Sequence, residues 1–173
     1  KERKTTFSGF EKSEYAKGTY FKKYNETDYS PKTEKVKELF ADIHVPTPGD
    51  WKRLAKEVKR FGLFHSYRLA IAPNQSIGYI QNATSSVMPV VEHIEARTNA
   101  KSTTYYPMPY LTRETFWYYK SAYNMNQYRL IDLIAEIQPH IDQGISTILY
   151  VTSEATTRDL SRYYVYASKK GLK

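Results

Sequence analysis

The chain has 173 residues, of which 40% are hydrophobic, and this content supports a packed core and argues against a disordered protein. It contains no cysteine, which excludes disulfide bonds, thiolate metal sites and thiol catalysis within these residues, and no apolar run approaches the roughly 18 residues of a membrane span. A formal charge of +8 raises the question of an anionic partner, but the basic residues are spread from Lys1 to Lys173 among acidic ones, as on a solvated surface.

Residues 1–66 are predicted to be mostly helical, although residues 1–30 form a tyrosine-rich lead-in without a clear period. Two helices are predicted after the lead-in. The second of them begins at Trp51, with Asp50 as its N-cap and Gly62 as its stop. The first helix follows Pro31, where apolar residues recur at spacings of three and four and predict the apolar face of an amphipathic helix. The residues of that face are Val36, Leu39, Phe40 and Ile43.

Two short apolar runs are predicted to be β-strands, residues 67–72 before Pro73 and residues 145–151. Between them, residues 90–96 fit either a strand or a short helix. Residues 98–112 are predicted to be a loop, because their prolines favour extended backbone and interrupt regular structure.

Three helices are predicted in the rest of the chain. One covers residues 112–122, and a longer one covers residues 126–143 with a kink at Pro139. The last helix begins at Thr156 or Thr157, either of which can act as its N-cap. The order of strand, loop, helices, strand and helix is typical of an α/β fold.

The string APNQSIGY, residues 72–79, is the clearest candidate for a binding site. A strand that ends in Pro-Asn-Gln-Ser presents backbone N–H groups and a hydroxyl beyond its C-terminal edge, where α/β sheets bind anions and nucleotides. The string is neither a Walker motif nor GxGxxG. From these residues alone, a phosphate site and a plain capping turn both remain open.

Other candidates for chemistry are weaker. The four histidines, at positions 44, 65, 93 and 140, lack the i, i+4 pairing of a helical metal site, so no metal site is predicted. Ser76 has no partnered base and is not a candidate nucleophile. No catalytic residue is therefore predicted in this chain.

Several strings, taken together and in order, resemble the catalytic subunit of class Ib ribonucleotide reductases. Residues 72–79, followed by QNATSSVMPVVEHIEAR, are similar to the family pattern APTGSISY, a turn rich in serine and threonine, and PIVxKIExR. The string YYPMPYLT is similar to YYPAPYMT, and ATTRDLSRYYVYASKKGLK is similar to ATTRDINKAQIYAWKKGIK. These similarities extend over nearly all of the chain and correspond to the C-terminal part of that subunit.

The resemblance implies a fold and a substrate site. The fold would be the C-terminal portion of a ten-stranded α/β barrel, incomplete as a stand-alone fold, with residues 1–66 as a helical lead-in and residues 67–173 as the barrel segment. In the family, the loop that corresponds to the one after residues 67–72 holds the diphosphate of the ribonucleotide. The corresponding residues here are Pro73, Asn74, Gln75, Ser76 and Ile77.

Three positions depart from the family pattern in this region. Asn74 replaces the usual threonine and removes a hydroxyl, and Gln75 replaces a glycine that adopts positive φ freely. Gly78 replaces a serine. Backbone amides make most of the contacts to the phosphate in such a loop, so we expect the loop to keep its role while its geometry or its affinity for phosphate changes.

The resemblance also implies the reaction, which is radical-based reduction of ribonucleoside diphosphates to deoxyribonucleoside diphosphates in the cytoplasm. The redox cysteines of the family are missing here, so we expect this chain to supply the phosphate loop and barrel closure, to bind no cofactor and to be inactive alone. Its implied partners are the rest of the catalytic subunit, a metal-radical small subunit, a thiol reductant and nucleotide effectors, with no membrane and no nucleic acid. Because the chain lacks an initial methionine and stops directly after a helical pattern, we expect it to be a piece of a longer protein.

A competing hypothesis is a basic, tyrosine-rich nucleic-acid-binding module without catalysis. Its support is the charge of +8 and the 17 tyrosines, because such domains stack bases on aromatic rings and follow phosphates with basic side chains. It predicts salt-sensitive binding to single strands, whereas the reductase hypothesis predicts a preference for ribonucleoside diphosphates. A third hypothesis, compatible with the reductase, is a purely structural piece that completes a barrel with another polypeptide.

Overall fold

The computed structural model describes residues 6–173, and of Gln75 it describes the backbone alone. The chain divides into two compact units, one ending at Ser66 and the other comprising Tyr67–Lys173. Each unit has its own hydrophobic cluster. Across the described part of the chain, no helix has both the length and the apolar character needed to cross a membrane.

Within residues 6–66, the first unit is mostly helical. A 3-10 turn is followed by four α-helices, which are α1 (Glu14–Lys17), α2 (Thr19–Glu26), α3 (Glu34–Leu39) and α4 (Pro48–Phe61). The ring of Tyr24 in α2 stacks on Trp51 in α4 with a centroid distance of 4.2 Å. Phe21 and Val58 are buried beside this pair, so α2 and α4 share one apolar interface.

Helix α4 begins earlier than predicted, and Asp50 is not its N-cap. Thr47 is the N-cap, and its hydroxyl accepts a hydrogen bond of 3.3 Å from the Asp50 N–H. In return, Asp50 Oδ2 accepts one of 3.0 Å from the Thr47 N–H, which completes a capping box. The proline at the start of the helix has the φ that a first turn requires and therefore extends it. The predicted stop at Gly62 is confirmed, since this residue has a φ of 73°.

The predicted amphipathic helix after Pro31 forms, but as the short helix α3. Its apolar stripe does not become buried: Leu39 is 72% exposed and Ile43 is 58% exposed. The predicted helix is therefore confirmed, although its apolar stripe stays exposed in this unit as described. Apolar periodicity favours a helix, but it does not supply the surface against which the helix packs.

The second unit contains three α-helices and one β-hairpin among the residues that the structure describes. The helices are α5 (Gln75–Ile80), α6 (Gln127–Ile137) and α7 (Thr157–Lys169). Strands β1 (Ile94–Asn99) and β2 (Ser102–Pro107) pair in antiparallel register. Leu130 and Ile134 of α6 form the core with Met88 and Ile145. This mixture of helices and strands agrees with the predicted α/β class.

The two apolar runs predicted to be strands lie side by side but do not form a ladder. They share one parallel bridge between Ile71 and Ile145. Two backbone hydrogen bonds flank it, from the Gln143 N–H to the Leu69 carbonyl at 3.1 Å and from the Ser146 N–H to the Ile71 carbonyl at 3.0 Å. The strand assignments are therefore wrong in extent, although their parallel adjacency is present. Parallel pairing is weaker per residue than antiparallel pairing, and such strands normally pair on both edges.

The region 90–112 differs most from the prediction. The open choice at residues 90–96 is resolved in favour of a strand, because β1 begins at Ile94. The loop predicted over residues 98–112 is wrong, since β2 occupies much of it. Pro107 does not prevent this strand, because β2 pairs on one edge only among the described residues, and proline is tolerated on such an edge strand.

The helix predicted over residues 112–122 is also wrong. The segment contains a 3-10 turn, Phe116–Tyr118, rather than an α-helix. The Thr115 hydroxyl accepts a hydrogen bond from the Thr112 N–H at 2.8 Å and donates one to the Tyr110 carbonyl at 2.7 Å. Such side-chain bonds offer the backbone an alternative to helical pairing.

The two remaining helices are close to their predictions. Helix α6 ends at Ile137 and continues as a 3-10 turn, Gln138–His140, so Pro139 ends the α-helix instead of kinking it. Helix α7 has Thr156 as its N-cap. This confirms one of the two predicted alternatives, Thr156 and Thr157. Asp159 completes a capping box with Thr156.

Candidate functional site

The predicted phosphate loop, residues 73–77, follows the bridge residue Ile71 and leads into α5. Asn74 is the N-cap of α5, with a φ of −121°, and its carbonyl accepts a hydrogen bond of 2.8 Å from the Gly78 N–H. Pro73, Asn74, Ser76 and Ile77 are all exposed. The first N–H groups of an α-helix have no acceptor within the helix. The loop is therefore open to solvent and has backbone donors available for an anion.

A turn formed by residues 82–86 holds this loop from one side. The side-chain oxygen of Asn74 accepts a hydrogen bond of 2.8 Å from the Ser86 N–H, and the Ala83 N–H donates to the Gly78 carbonyl at 2.8 Å. Gly78 is buried, and a Cβ there would lie 3.2 Å from the Ala83 carbonyl oxygen. Two of the three departures from the family pattern are thus used structurally, because Asn74 binds the turn and Gly78 lets it approach closely.

On the other side, four residues connect α5 to the hairpin. We call them the Tyr79 clasp, and they are Tyr79, Glu95, Arg97 and Tyr106. The Tyr79 hydroxyl donates to Glu95 Oε2 at 2.6 Å, and Arg97 Nε and Nη2 donate to Glu95 Oε1 at 3.1 Å each. The Tyr79 ring stacks on Tyr106 at a centroid distance of 4.2 Å, and Arg97 Cζ lies 4.6 Å from the centroid of the Tyr79 ring. Burial, together with the hydrogen bond to Glu95, raises the pKa of Tyr79 above its ordinary value. The phenol therefore stays protonated and remains a donor.

A cavity of about 280 Å³ lies between α5, the 82–86 turn and the hairpin. None of the five predicted loop residues lines it. Its walls are largely apolar, and Glu95 is the charged residue among those that line it, which disfavours a phosphate there. An anion is therefore better accommodated at the exposed loop than in the cavity. The lining includes Tyr79, Met88, Val90, Tyr106, Met108 and Tyr150.

Two buried glutamines connect helix α6 and the turn after it to neighbouring segments of the second unit, and the sequence reasoning missed both. Gln127, 4% exposed, donates from Nε2 to the Ala122 and Met125 carbonyls at 3.0 Å each, and its Oε1 accepts from the Tyr150 N–H at 2.8 Å. Gln138, 5% exposed, lies just after α6, and its Nε2 donates to the Ile141 and Gln143 carbonyls at 3.5 and 2.9 Å. A polar residue on the apolar stripe of a helix was the available signal, since buried amides require partners.

Within residues 6–173, no cluster of three or more histidine, cysteine, aspartate or glutamate side chains has the geometry of a metal site. His44 Nε2 lies 3.2 Å from Asp50 Oδ2, and His93 Nε2 lies 2.9 Å from the Phe116 carbonyl oxygen. Both contacts are ordinary structural hydrogen bonds.

Comparison with known proteins gives a consistent result. The family model described as ribonucleotide reductase, barrel domain, matches residues 1–173. The chain is 51% identical over 173 residues to the ribonucleoside-diphosphate reductase subunit alpha of Bacillus subtilis, covering 100% of this chain and 25% of that protein. The corresponding subunit of Mycoplasma pneumoniae is 41% identical over 175 residues, covering 97% and 24%, and that of Mycoplasma genitalium is 40% identical over 172 residues, covering 95% and 24%. The chain spans about a quarter of the length of these relatives.

Proposed function

Because the chain belongs to the ribonucleotide reductase barrel-domain family, we propose that it is a segment of the catalytic subunit of a class Ib ribonucleoside-diphosphate reductase. The assignment to class Ib rests on the similarity of residues 72–79 and of the later strings to the patterns of that class. The complete subunit would reduce ribonucleoside diphosphates to deoxyribonucleoside diphosphates by a radical mechanism in the cytoplasm.

In this proposal, residues 73–77 hold the diphosphate of the substrate. The observation that carries it is the exposed N-terminal turn of α5, placed directly after a segment that is bridged in parallel to a second apolar run. N–H groups in such a turn point toward a bound anion, and the helix dipole favours negative charge there. The Ser76 hydroxyl can add one further hydrogen bond. Pro73, Asn74 and Ile77 shape the turn.

The rest of the enzyme would supply the remaining chemistry. The chain has no cysteine, so the thiols that are oxidised as the ribose is reduced must lie in the remainder of the catalytic subunit. The metal-radical centre belongs to the small subunit, and a thiol reductant and nucleotide effectors complete the system. Residues 67–72 and 145–151 would be neighbouring strands of a ten-stranded barrel, and residues 1–66 the helical segment that precedes them. We expect the 173 residues alone to have no reductase activity.

The test uses the complete reductase that contains this segment, with Ser76→Ala as the variant and Ser161→Ala, on the exposed face of α7, as the matched control. A hydrogen bond to a charged group contributes about 1.5–3 kcal/mol, so KM for a ribonucleoside diphosphate should rise about tenfold or more in Ser76→Ala, with kcat changed much less. Ser161→Ala should leave both constants unchanged. An unchanged KM in Ser76→Ala would contradict the assignment of this hydroxyl to the phosphate site.

A further inference from the structure

We propose that Tyr79 is a positioning residue for the phosphate loop, which it orients through its hydrogen bond to Glu95. The inference rests on the proposed function, because it assigns a role to Tyr79 only if residues 73–77 bind the diphosphate. Tyr79 itself does not contact the loop anion in this proposal. It acts by fixing the direction in which the first turn of α5 points.

Helix α5 needs external support because it is short. It contains six residues, including a glycine at position 78, whereas helices of fewer than about 12 residues are marginal in water without tertiary contacts. Its N-terminal end is connected to the 82–86 turn through Asn74 and Ser86. The other end is held by the hydrogen bond from the Ala83 N–H to the Gly78 carbonyl and by the contacts of Tyr79.

The Tyr79 clasp supplies a directional contact at that end. A phenol that donates to a carboxylate forms a charge-assisted hydrogen bond, which is stronger than a neutral one, and the Tyr79–Glu95 distance is 2.6 Å. Arg97 fixes the carboxylate with two hydrogen bonds of 3.1 Å to its other oxygen. Glu95 and Arg97 side chains are each 32% exposed, so this pair is partly shielded from solvent.

The ring of Tyr79 makes a second, less directional contact. It stacks on Tyr106 at 4.2 Å with an interplanar angle of 27°, and Arg97 lies over the ring. A phenylalanine at this position keeps the stacked ring and removes the hydroxyl. Tyr79→Phe therefore separates orientation of α5 from packing of its side chain.

The experiment measures steady-state kinetics of the complete reductase. We expect Tyr79→Phe to raise KM for the ribonucleoside diphosphate about fivefold to tenfold while kcat changes less than about twofold, because only part of the roughly 1.5–3 kcal/mol of one charge-assisted hydrogen bond reaches the loop. Tyr105→Phe is the matched control, because Tyr105 lies next to Tyr106 on the same strand and is 66% exposed. It should leave both constants unchanged.

Changes at Glu95 distinguish positioning from general stabilisation. Glu95→Gln keeps an acceptor for the Tyr79 hydroxyl and should give a smaller rise in KM than Glu95→Leu. Adding Tyr79→Phe to Glu95→Leu should raise KM no further, because both changes break the same bond. A lower melting temperature with an unchanged KM in Tyr79→Phe would overturn the proposal.

The same measurements separate this inference from the proposed function. If Ser76→Ala and Tyr79→Phe both leave KM unchanged, the phosphate-loop assignment loses its support, and the role of Tyr79 is refuted with it. If Ser76→Ala raises KM and Tyr79→Phe does not, the loop assignment stands and Tyr79 alone is misassigned.

Discussion

Replacing Gln127 by leucine should loosen the segment that follows Ile145 without unfolding α6. The two side chains are similar in volume, so the change introduces little cavity or overpacking. It removes three hydrogen bonds, of 3.0, 3.0 and 2.8 Å, from a side chain that is 4% exposed. The Ala122 carbonyl keeps a second donor, the Met125 N–H at 3.3 Å. The Tyr150 N–H and the Met125 carbonyl lose the partner that Gln127 provides.

The magnitude follows from these two groups. A buried polar group left unsatisfied costs about 1–3 kcal/mol. Two such groups should therefore destabilise this segment of the variant by about 2–6 kcal/mol, and by less where water molecules hydrogen-bond to them. Each 1 kcal/mol corresponds to about a fivefold change in an opening equilibrium. The Tyr150 N–H accounts for about 1–3 kcal/mol of this loss, so exchange of its amide hydrogen should be at least about fivefold faster in Gln127→Leu, whereas amides within α6 should keep their protection.

Hydrogen–deuterium exchange followed by mass spectrometry on the complete reductase measures this directly, in peptides that cover residues 145–151 and 127–137. Gln143→Leu is the matched control, because the Gln143 side chain is exposed, and it should leave both peptides unchanged. Equal protection of residues 145–151 in Gln127→Leu and in the unchanged protein would refute the view that this glutamine holds the segment.

Two further predictions concern stability. The N–H and hydroxyl of Thr47 donate hydrogen bonds that lower the pKa of Asp50 from 3.8 to about 2. A depressed pKa means that the stabilisation is present above pH 3.8 and is lost as the pH falls toward 2. Circular dichroism should therefore show a loss of helix in that window, and Asp50→Asn should reduce this loss without abolishing it, because the pKa values of Asp132 and Asp159 are lowered as well. In the core, Ile134→Ala should lower the free energy of unfolding by about 2–5 kcal/mol, because Ile134 is 0% exposed. Leu133→Ala is the comparison, at a neighbouring position that is 51% exposed, and it should lower the free energy of unfolding by less than about 1 kcal/mol. Urea titration of both variants measures these losses, and equal losses would contradict the assignment of the core.

The departures from the family pattern acquire a physical explanation in the fold. Asn74 lacks the hydroxyl of the usual threonine, but its amide oxygen reaches the Ser86 N–H at 2.8 Å. Gly78 lacks the serine side chain, and the carbonyl of Ala83 lies where a Cβ would make a tight contact. Both changes bring the 82–86 turn against α5. The loop thus replaces side-chain hydroxyls with a closer packing of backbone.

The sequence by itself determined the features that depend on near neighbours in the chain. The stop of α4 at Gly62 and the cap of α7 at Thr156 follow from backbone preferences and hydrogen bonds that span three or four residues. The apolar period of α6 and the position of the candidate loop, residues 73–77, were likewise read from short strings. The family resemblance drew on the same kind of information, and membership of the ribonucleotide reductase barrel-domain family is confirmed.

Tertiary structure decided the rest, because the deciding contacts join residues that are far apart in the chain. Tyr79 and Glu95 are separated by 16 positions, and Gln127 and Tyr150 by 23, so no local pattern reports either hydrogen bond. The runs 67–72 and 145–151 have the composition of strands, but the number of paired edges that each receives sets whether a ladder forms. Similarly, α3 has an apolar stripe whose burial depends on another surface. Local preferences specify which conformations are available, whereas pairing and packing across the fold select among them.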